Sequence, residues 1–327
     1  MEDRRELIEQ KYGFQVKNQY RARGAILFDT KDGPLLLREK MKLTGHFEWE
    51  NEVKEHLREN GMTLLDFAVK NADGEYLTEA EDGAKYVLYR WFSGEECDCK
   101  NLTMIRLMAE NLGRLHSSLQ NFYEEPVLLQ QPLLSQYDKH NRELVKVRNY
   151  IRSKKKKNDF EVLFYGQYER FMEKARQVAQ ELSAMGQGGQ SAGFCHGDYN
   201  QHNILFSKNG IGIVHFECFS YQIQVSDLAN YMRKMLEKNN WNTGLGMDLI
   251  CAYDRVRRLT AVELNYLYLY MAYPEKFWKI ANRYYNTHKA WVSGRNIEKL
   301  EKFIRQEDER ERFLEMMRHF TLQPPAS

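Results

Sequence analysis

The sequence has no long apolar run, few cysteines and almost no excess of charge of either sign. None of its apolar stretches approaches the roughly 20 residues that a membrane-spanning helix needs. The 48 basic and 46 acidic residues leave a formal net charge of +2, which offers no general attraction for nucleic acid or for a membrane surface. The first residues are charged and show no signal-peptide pattern. We therefore expect neither a nucleic acid nor a membrane as a partner.

The five cysteines are an odd number, and their spacing matches neither a disulfide framework nor a zinc knuckle. Reduced thiols in a cytoplasmic protein are the expected state. Hydrophobic residues make up 43% of the chain and aromatic residues 13%, which predicts a folded protein rather than a disordered one. A length of 327 residues favours one large domain or two lobes.

Secondary-structure patterns change along the chain. Up to about residue 91 the pattern predicts strands with one amphipathic helix at 47–60, and 86–92 has the strongest strand pattern. The remainder is mostly helical, with an island of strand and loop at 194–220. The pattern predicts an α+β fold of two lobes. We assign 1–93 to a small β-rich lobe and 94–327 to a large, mostly helical lobe.

The most informative segment is His196-Gly197-Asp198, which is followed by Asn203 and an apolar strand. Phosphoryl transfer to a hydroxyl group needs a carboxylate near the nucleophile and oxygen ligands for the magnesium that bridges the phosphates. An Asp followed five residues later by an Asn supplies both groups from one turn. The segment predicts a kinase-type loop in which Asp198 is the base, Asn203 is a metal ligand and His196 braces the loop.

This loop, the following hairpin with 213–217, and the segment 227–229 together resemble the aminoglycoside phosphotransferase and choline kinase superfamily. Within it, the segments 87–94 and 273–285 resemble the spore coat protein S (CotS) family. The resemblance implies a protein kinase-like fold in which 1–93 is the nucleotide-binding lobe and 94–327 is the helical lobe with the catalytic loop. It implies ATP and Mg²⁺ as cofactors, and transfer of a phosphoryl group to a small hydroxylated or amino-sugar acceptor. It also implies a spore-forming source, a spore coat location in addition to the cytoplasm, and coat proteins as partners.

The chain departs from this superfamily at the second metal position, where His215 replaces an Asp. Magnesium prefers oxygen ligands, and a neutral imidazole is a poor replacement. Three interpretations stay open. Glu217 supplies the missing carboxylate, or His215 is a core histidine that pairs with Asp198 or Asp227, or His215 binds a softer ion such as Mn²⁺ or Zn²⁺.

The nucleotide side is altered as well. The superfamily places a Lys near the end of a strand to hold phosphates, and Arg38 stands at that point, with Lys40 on the same strand face as the alternative. A Glu on the next helix is expected to pair with this cation, unless it belongs to an ordinary charged helix face. The candidates for nucleotide contact are Arg38, Lys40, Glu50, Glu52, Tyr89 and Trp91.

Two functions follow from these residues. The intact Asp198 and Asn203 favour an active small-molecule kinase, whereas His215 and Arg38 favour an impaired pseudokinase that serves as a structural or interaction protein of the spore coat. The loss of a metal ligand removes several kcal/mol of transition-state stabilisation, and each ~1.4 kcal/mol is a factor of ten in rate. A protein kinase acting on polypeptides is disfavoured, because the sequence has no His-Arg-Asp, Asp-Phe-Gly or Ala-Pro-Glu motif.

Overall fold

The computed structural model describes residues 4–22, 24–120, 122, 132–185, 192–286 and 294–322. The chain divides into two compact units, and both are discontinuous in sequence. The first unit comprises Met1–Glu125 and His196–Ser220, and the second comprises Pro126–Cys195 and Tyr221–Ser327. The division between lobes that we place after residue 93 stays a prediction.

The elements up to residue 118 are α1 (Arg5–Tyr12), β1 (Val16–Ala22), β2 (Ala25–Thr30), β3 (Gly33–Glu39), α2 (Phe47–Glu59), β4 (Ala68–Val69), β5 (Leu77–Glu79), β6 (Lys85–Arg90), β7 (Glu95–Glu96) and α3 (Leu102–Ser118). They are followed by α4 (Leu133–Ser153), α5 (Asp159–Met185), β8 (Ala192–Cys195), β9 (Ile204–Ser207), β10 (Gly210–Ile213), a 3-10 turn (Phe216–Cys218) and β11 (Ser220–Ile223). The remaining elements are α6 (Val225–Lys238), α7 (Thr243–Val256), α8 (Ala261–Ala272), α9 (Glu275–Asn286), α10 (Gly294–Arg305) and α11 (Glu307–Leu322).

An antiparallel sheet with the strand order β1-β2-β3-β6-β4 forms the centre of the first unit, and β5 also pairs with β6. The apolar run Leu35-Leu36-Leu37 in β3 is buried on both sides of the sheet. Leu35 and Leu37 pack in a cluster with Ile8 of α1, whereas Leu36 packs in a second cluster with Phe47 of α2. The run is continuous because helices cover both faces, and alternate residues therefore meet different helices. Arg38 shares strand parity with Leu36, which puts it on the α2 side.

The first unit contains a second, smaller sheet. Its strands have the order β10-β9-β7, and β9 and β10 form an antiparallel hairpin. The predicted catalytic loop leads directly into β9, and His215 follows the end of β10. Because the two strands are antiparallel, the loop and His215 lie at the same end of the hairpin. Leu65, just before β4, bridges to Ile213 at the end of β10.

The second unit is built from helices with a two-stranded sheet of β8 and β11. Its core contains a group of stacked aromatic rings around Phe277, whose ring centroid lies 4.8 Å from that of Phe164 and 4.7 Å from that of Phe171. Large side chains from α4, α5, α9 and α10 surround these rings. A small antiparallel sheet region followed by a mostly helical remainder confirms the predicted α+β class. Among the described residues, no helix combines the length and apolar character that crossing a bilayer requires.

A partly buried ionic group also lies in the second unit. Glu275 at the start of α9 accepts a hydrogen bond of 2.6 Å from Arg233 of α6, and its other oxygen lies 2.6 Å from Lys279. Burial raises the pKa of Glu275, but Arg233 and Lys279 lower it more, and the pKa falls to about 2. The carboxylate of Glu275 therefore stays ionised in the folded protein at pH values at which an ordinary glutamate is protonated.

We expect Glu275→Gln to lower the free energy of unfolding by roughly 3 kcal/mol at pH 7, because each pKa unit is worth about 1.4 kcal/mol. The folded pKa lies below the unfolded value of about 4.3, so this contribution is present above that pH and is lost as the pH falls towards 2. Urea denaturation of both proteins between pH 7 and pH 3 measures the difference.

The control is Glu298→Gln, which changes an exposed carboxylate of α10. It should match the wild-type protein at every pH. A wild-type advantage over Glu275→Gln that persists undiminished at the lowest pH would contradict the ionic explanation.

Candidate active site

The predicted catalytic loop connects β8 to β9 and requires glycine at its second position. Gly197 has a φ of +80°, and a Cβ atom added there would lie 2.0 Å from the carbonyl oxygen of Cys218. Any other residue would both strain the backbone and collide with the 3-10 turn. The Gly of the His-Gly-Asp motif thus allows the loop to lie directly against the segment that follows the metal position.

His196 is buried and links the loop to the end of β10. Its Nδ1 accepts a hydrogen bond of 3.2 Å from the backbone N–H of Asp198, and its Nε2 lies 3.0 Å from the carbonyl oxygen of Val214. A nitrogen that accepts carries no proton, so Nε2 carries it and donates to Val214. The imidazole is therefore neutral, and it connects the catalytic loop to the residue just before His215.

Asp198 and Asn203 lie together, five residues apart on one turn. The amide nitrogen of Asn203 donates to the backbone carbonyl of Asp198 at 2.9 Å and to its carboxylate oxygen at 3.2 Å. Both bonds use the nitrogen, so the amide oxygen of Asn203 is the atom that would ligate a cation. Asp198 is half-buried. This arrangement is compatible with Asp198 as a base and Asn203 as a metal ligand, and both roles stay predictions.

His215 adopts a left-handed backbone conformation, with a φ of 70° and a ψ of 62°. Such a conformation is uncommon for a residue with a Cβ atom. The bridge between Leu65 and Ile213 brings Asp66 beside it, and the carboxylate of Asp66 accepts the backbone N–H of His215 at 2.9 Å. The turn at the metal position is therefore stabilised by a buried carboxylate that lies far from it in sequence.

Arg38 contacts both His215 and Glu217. Its two terminal nitrogens lie 2.9 and 2.8 Å from Nδ1 and Nε2 of His215, and one of them donates to Glu217 at 3.0 Å. A guanidinium only donates, and a neutral imidazole accepts at one nitrogen. One contact to His215 is thus a hydrogen bond and the other is packing against the ring. Both ring nitrogens of His215 are thus engaged by Arg38, and neither is open to a metal ion.

Glu217 is also engaged by cations. The same carboxylate oxygen lies 3.0 Å from Arg38 and 3.2 Å from Lys40. Burial raises the pKa of Glu217, but Lys40, then the backbone N–H of Glu217 itself, and then Arg38 lower it more, so the group is a carboxylate with its pKa below the usual range. Its charge is already compensated by two side chains. Mg²⁺ prefers free oxygen ligands, so the engaged Glu217 and the imidazole of His215 do not fit as its ligands.

Lys54 and Asp66 were not predicted, and they form a buried ionic cluster with Glu50. The ammonium group of Lys54 lies 2.7 Å from Glu50 and 2.9 Å from the carboxylate of Asp66, and it donates to the Asp66 carbonyl at 2.8 Å. Burial raises the pKa of Asp66, but Lys54 and His215 hold it well below its usual range. In the sequence, the spacing of Glu50 and Lys54 by four residues was the available signal.

The other residues predicted to contact the nucleotide differ in their distance from the ionic cluster of Lys54. Glu50 pairs with Lys54 rather than with Arg38, the partner expected from sequence, and Glu52 lies on the exposed side of α2. The ring of Tyr89 lies 5.6 Å from Lys54 and 5.9 Å from Lys40. The ring centroid of Trp91 lies 5.9 Å from that of His215. The first unit thus brings Arg38, Lys40, Tyr89, Trp91, His215 and Glu217 into one region.

Solved structures show the fold. An aminoglycoside phosphotransferase from Alicyclobacillus acidocaldarius superposes with a TM-score of 0.78 at 17% identity, covering 94% of this chain and 92% of that one. The amicoumacin kinase hAmiN, solved with AMP-PNP, Ca²⁺ and Ami, has a TM-score of 0.62 at 14% identity, covering 94% and 92%. The sheet, the helices and the loop at 196–203 therefore define a kinase-like phosphotransferase fold.

The family is defined by sequence. The chain belongs to the family described as spore coat putative kinase YutH, whose model matches residues 5–317. Spore coat protein S of Bacillus subtilis (strain 168) is 20% identical over 300 residues, which cover 88% of this chain and 85% of that protein. These findings confirm the predicted resemblance to the spore coat proteins and to the aminoglycoside phosphotransferase superfamily.

We expect Lys54→Met to lower the free energy of unfolding by about 3–5 kcal/mol, because it leaves two buried carboxylates without their cation. Chemical denaturation followed by tryptophan fluorescence measures the loss. The matched control is Lys17→Met on the exposed side of β1, which should stay within about 0.5 kcal/mol of wild type. Equal stability of the two variants would show that the buried cluster contributes nothing.

Proposed function

We propose that this chain is a kinase-like protein of the spore coat in which magnesium-dependent phosphoryl transfer is impaired. The observation that carries the proposal is the contact of Arg38 with both His215 and Glu217. One side chain thereby engages the histidine at the metal position and the carboxylate that could have replaced it. The coat location follows from the family and from the relative named spore coat protein S. Other coat proteins are then its partners, and a cytoplasmic stage stays an expectation.

Impairment follows from the charge that must be neutralised during transfer. Phosphoryl transfer relies on cations that hold the nucleotide phosphates and compensate the developing charge. Of the two expected metal positions, only Asn203 still offers an oxygen ligand, so a magnesium ion would be bound weakly. A loss of about 3–4 kcal/mol of transition-state stabilisation corresponds to roughly a factor of several hundred in rate.

Nucleotide binding remains part of the proposal. The amicoumacin kinase was solved with AMP-PNP and Ca²⁺, and it shares the fold of this chain. Arg38 and Lys40 supply positive charge on the nucleotide side, and Trp91 supplies aromatic surface near it, whereas Tyr89 is buried in the core beneath them. We infer that ATP is a ligand of this region and that Mg²⁺ contributes little to its binding.

An active small-molecule kinase is the second candidate, and the contact between Asp198 and Asn203 favours it. In that case Asp198 would accept the proton of an acceptor hydroxyl group, and His196 would keep the loop in place. The acceptor would be a small hydroxylated compound or an amino sugar. This candidate requires turnover by the wild-type protein.

The substitution His215→Asp separates the two candidates. We expect ATP to shift the melting temperature of wild type equally with Mg²⁺ and with EDTA, whereas His215→Asp should gain a further shift of several degrees with Mg²⁺. The physical reason is that the new carboxylate restores an oxygen ligand. Thermal shift and release of phosphate from ATP are both measured.

The control is His319→Asp, which introduces the same charge at an exposed position of α11. It should behave as wild type. Turnover of ATP by wild type at rates near 1 s⁻¹, typical of kinases, would overturn impairment and establish the second candidate. Asp198→Asn should then abolish that turnover.

A further inference from the structure

Glu217 makes the contacts with Arg38 and Lys40 that an anionic ligand would make. One of its oxygens lies 3.0 Å from the guanidinium and 3.2 Å from the ammonium. Two cations that converge on a single oxygen match the way in which a phosphate oxygen is held. Arg38 and Lys40 are thus arranged for an anion, and the anion present is a side chain of the same protein.

We propose that Arg38 and Lys40 form a metal-independent binding site for a diphosphate or triphosphate group, and that Glu217 is its internal competitor. The inference deepens the proposed function and rests on it, since it concerns the nucleotide side of the same region. It assigns to Glu217 a role opposite to that of a metal ligand: the carboxylate weakens phosphate binding instead of supporting it.

Exposure supports this assignment. The side chains of Arg38, Lys40 and Glu217 retain 21%, 13% and 27% of their accessible surface, whereas those of Lys54 and Glu50 retain 0% and 1%. A ligand can therefore reach the first group but not the second. The buried cluster of Lys54 and Glu50 is structural. In the group of Arg38, Lys40 and Glu217, an anionic ligand can replace the carboxylate of Glu217.

The backbone of Glu217 is held independently of its carboxylate. Its carbonyl oxygen lies 3.3 Å from Nε2 of His46, and the residue sits in the middle of the 3-10 turn Phe216–Cys218. The carboxylate can therefore leave the two cations by rotation about side-chain bonds, without rearrangement of the turn. Release places it in water, where a single charge is well solvated.

Charge decides the competition. A triphosphate carries several negative charges, and Glu217 carries one, so the polyphosphate gains more from two cations at the same distances. His215 keeps Arg38 in position, because both of its ring nitrogens contact the guanidinium. No divalent cation is needed in this scheme, because the protein supplies both positive groups.

The experiment is titration of the full chain with a fluorescent ATP analogue in EDTA. We expect Glu217→Gln to bind about tenfold more tightly than wild type and Arg38→Gln to bind about tenfold more weakly. The matched control is Lys42→Gln, which removes an exposed lysine two residues from Lys40 and should stay within about twofold. Glu217→Ala should shift in the same direction as Glu217→Gln, and each variant's melting curve checks that it is folded.

Competition identifies the group that is recognised. Unlabelled tripolyphosphate should displace the analogue from Glu217→Gln, whereas adenosine should not; displacement by adenosine alone would show that the base is bound elsewhere and overturn the assignment. Equal or weaker binding by both Glu217 variants, or binding that requires Mg²⁺, would also overturn it. Phosphoryl transfer by wild type with Mg²⁺ would instead refute the impaired function and leave the titration result to be judged separately.

Discussion

The buried ammonium group of Lys54 joins three parts of the first unit that are distant in sequence. It lies between Glu50 of α2 and Asp66 before β4, and Asp66 in turn accepts the backbone N–H of His215. A charge this deeply buried is tolerated only when its partners are close. The position of α2, the segment before β4 and the left-handed turn at the metal position therefore depend on one another. The contacts of Arg38 depend on this arrangement, because the left-handed turn sets the positions of His215 and Glu217.

The charges of the site are balanced within the protein. Glu217 is compensated by Arg38 and Lys40, and Asp66 is compensated by Lys54. A kinase site that uses magnesium keeps its carboxylates available for the ion. In the function we propose, the fold keeps Asp198 next to Asn203 but has little electrostatic capacity for a divalent cation. The two residues at which we expect the chain to depart from the superfamily, Arg38 and His215, are in direct contact.

Much of the fold and of the loop could be predicted from sequence, because both depend on local patterns. Glycine at 197, the spacing of Asp198 and Asn203 and the strand at 86–92 are visible in the printed chain. The helix α1 and the strand β1 were missed, since β1 alternates weakly and much of it is exposed. The partner of Glu50 was missed because a familiar pairing with the β3 cation was assumed, while Lys54 lay one turn further along the same helix. Asp66 could not be recognised, because only the bridge between Leu65 and Ile213 brings it to His215.

The discontinuity of the first unit has a consequence for synthesis on the ribosome. Its sheet and α2 are complete by residue 118, but the loop, the hairpin and His215 belong to the segment His196–Ser220. At ~5–20 residues per second, several seconds separate the two parts. During that interval Asp66 has no His215 backbone to bind, and Arg38 and Lys40 have no Glu217. Until residue 220 has been synthesised, Arg38 and Lys40 lack the carboxylate that compensates them, so the site is completed late in synthesis and a chain truncated before residue 196 could not form it.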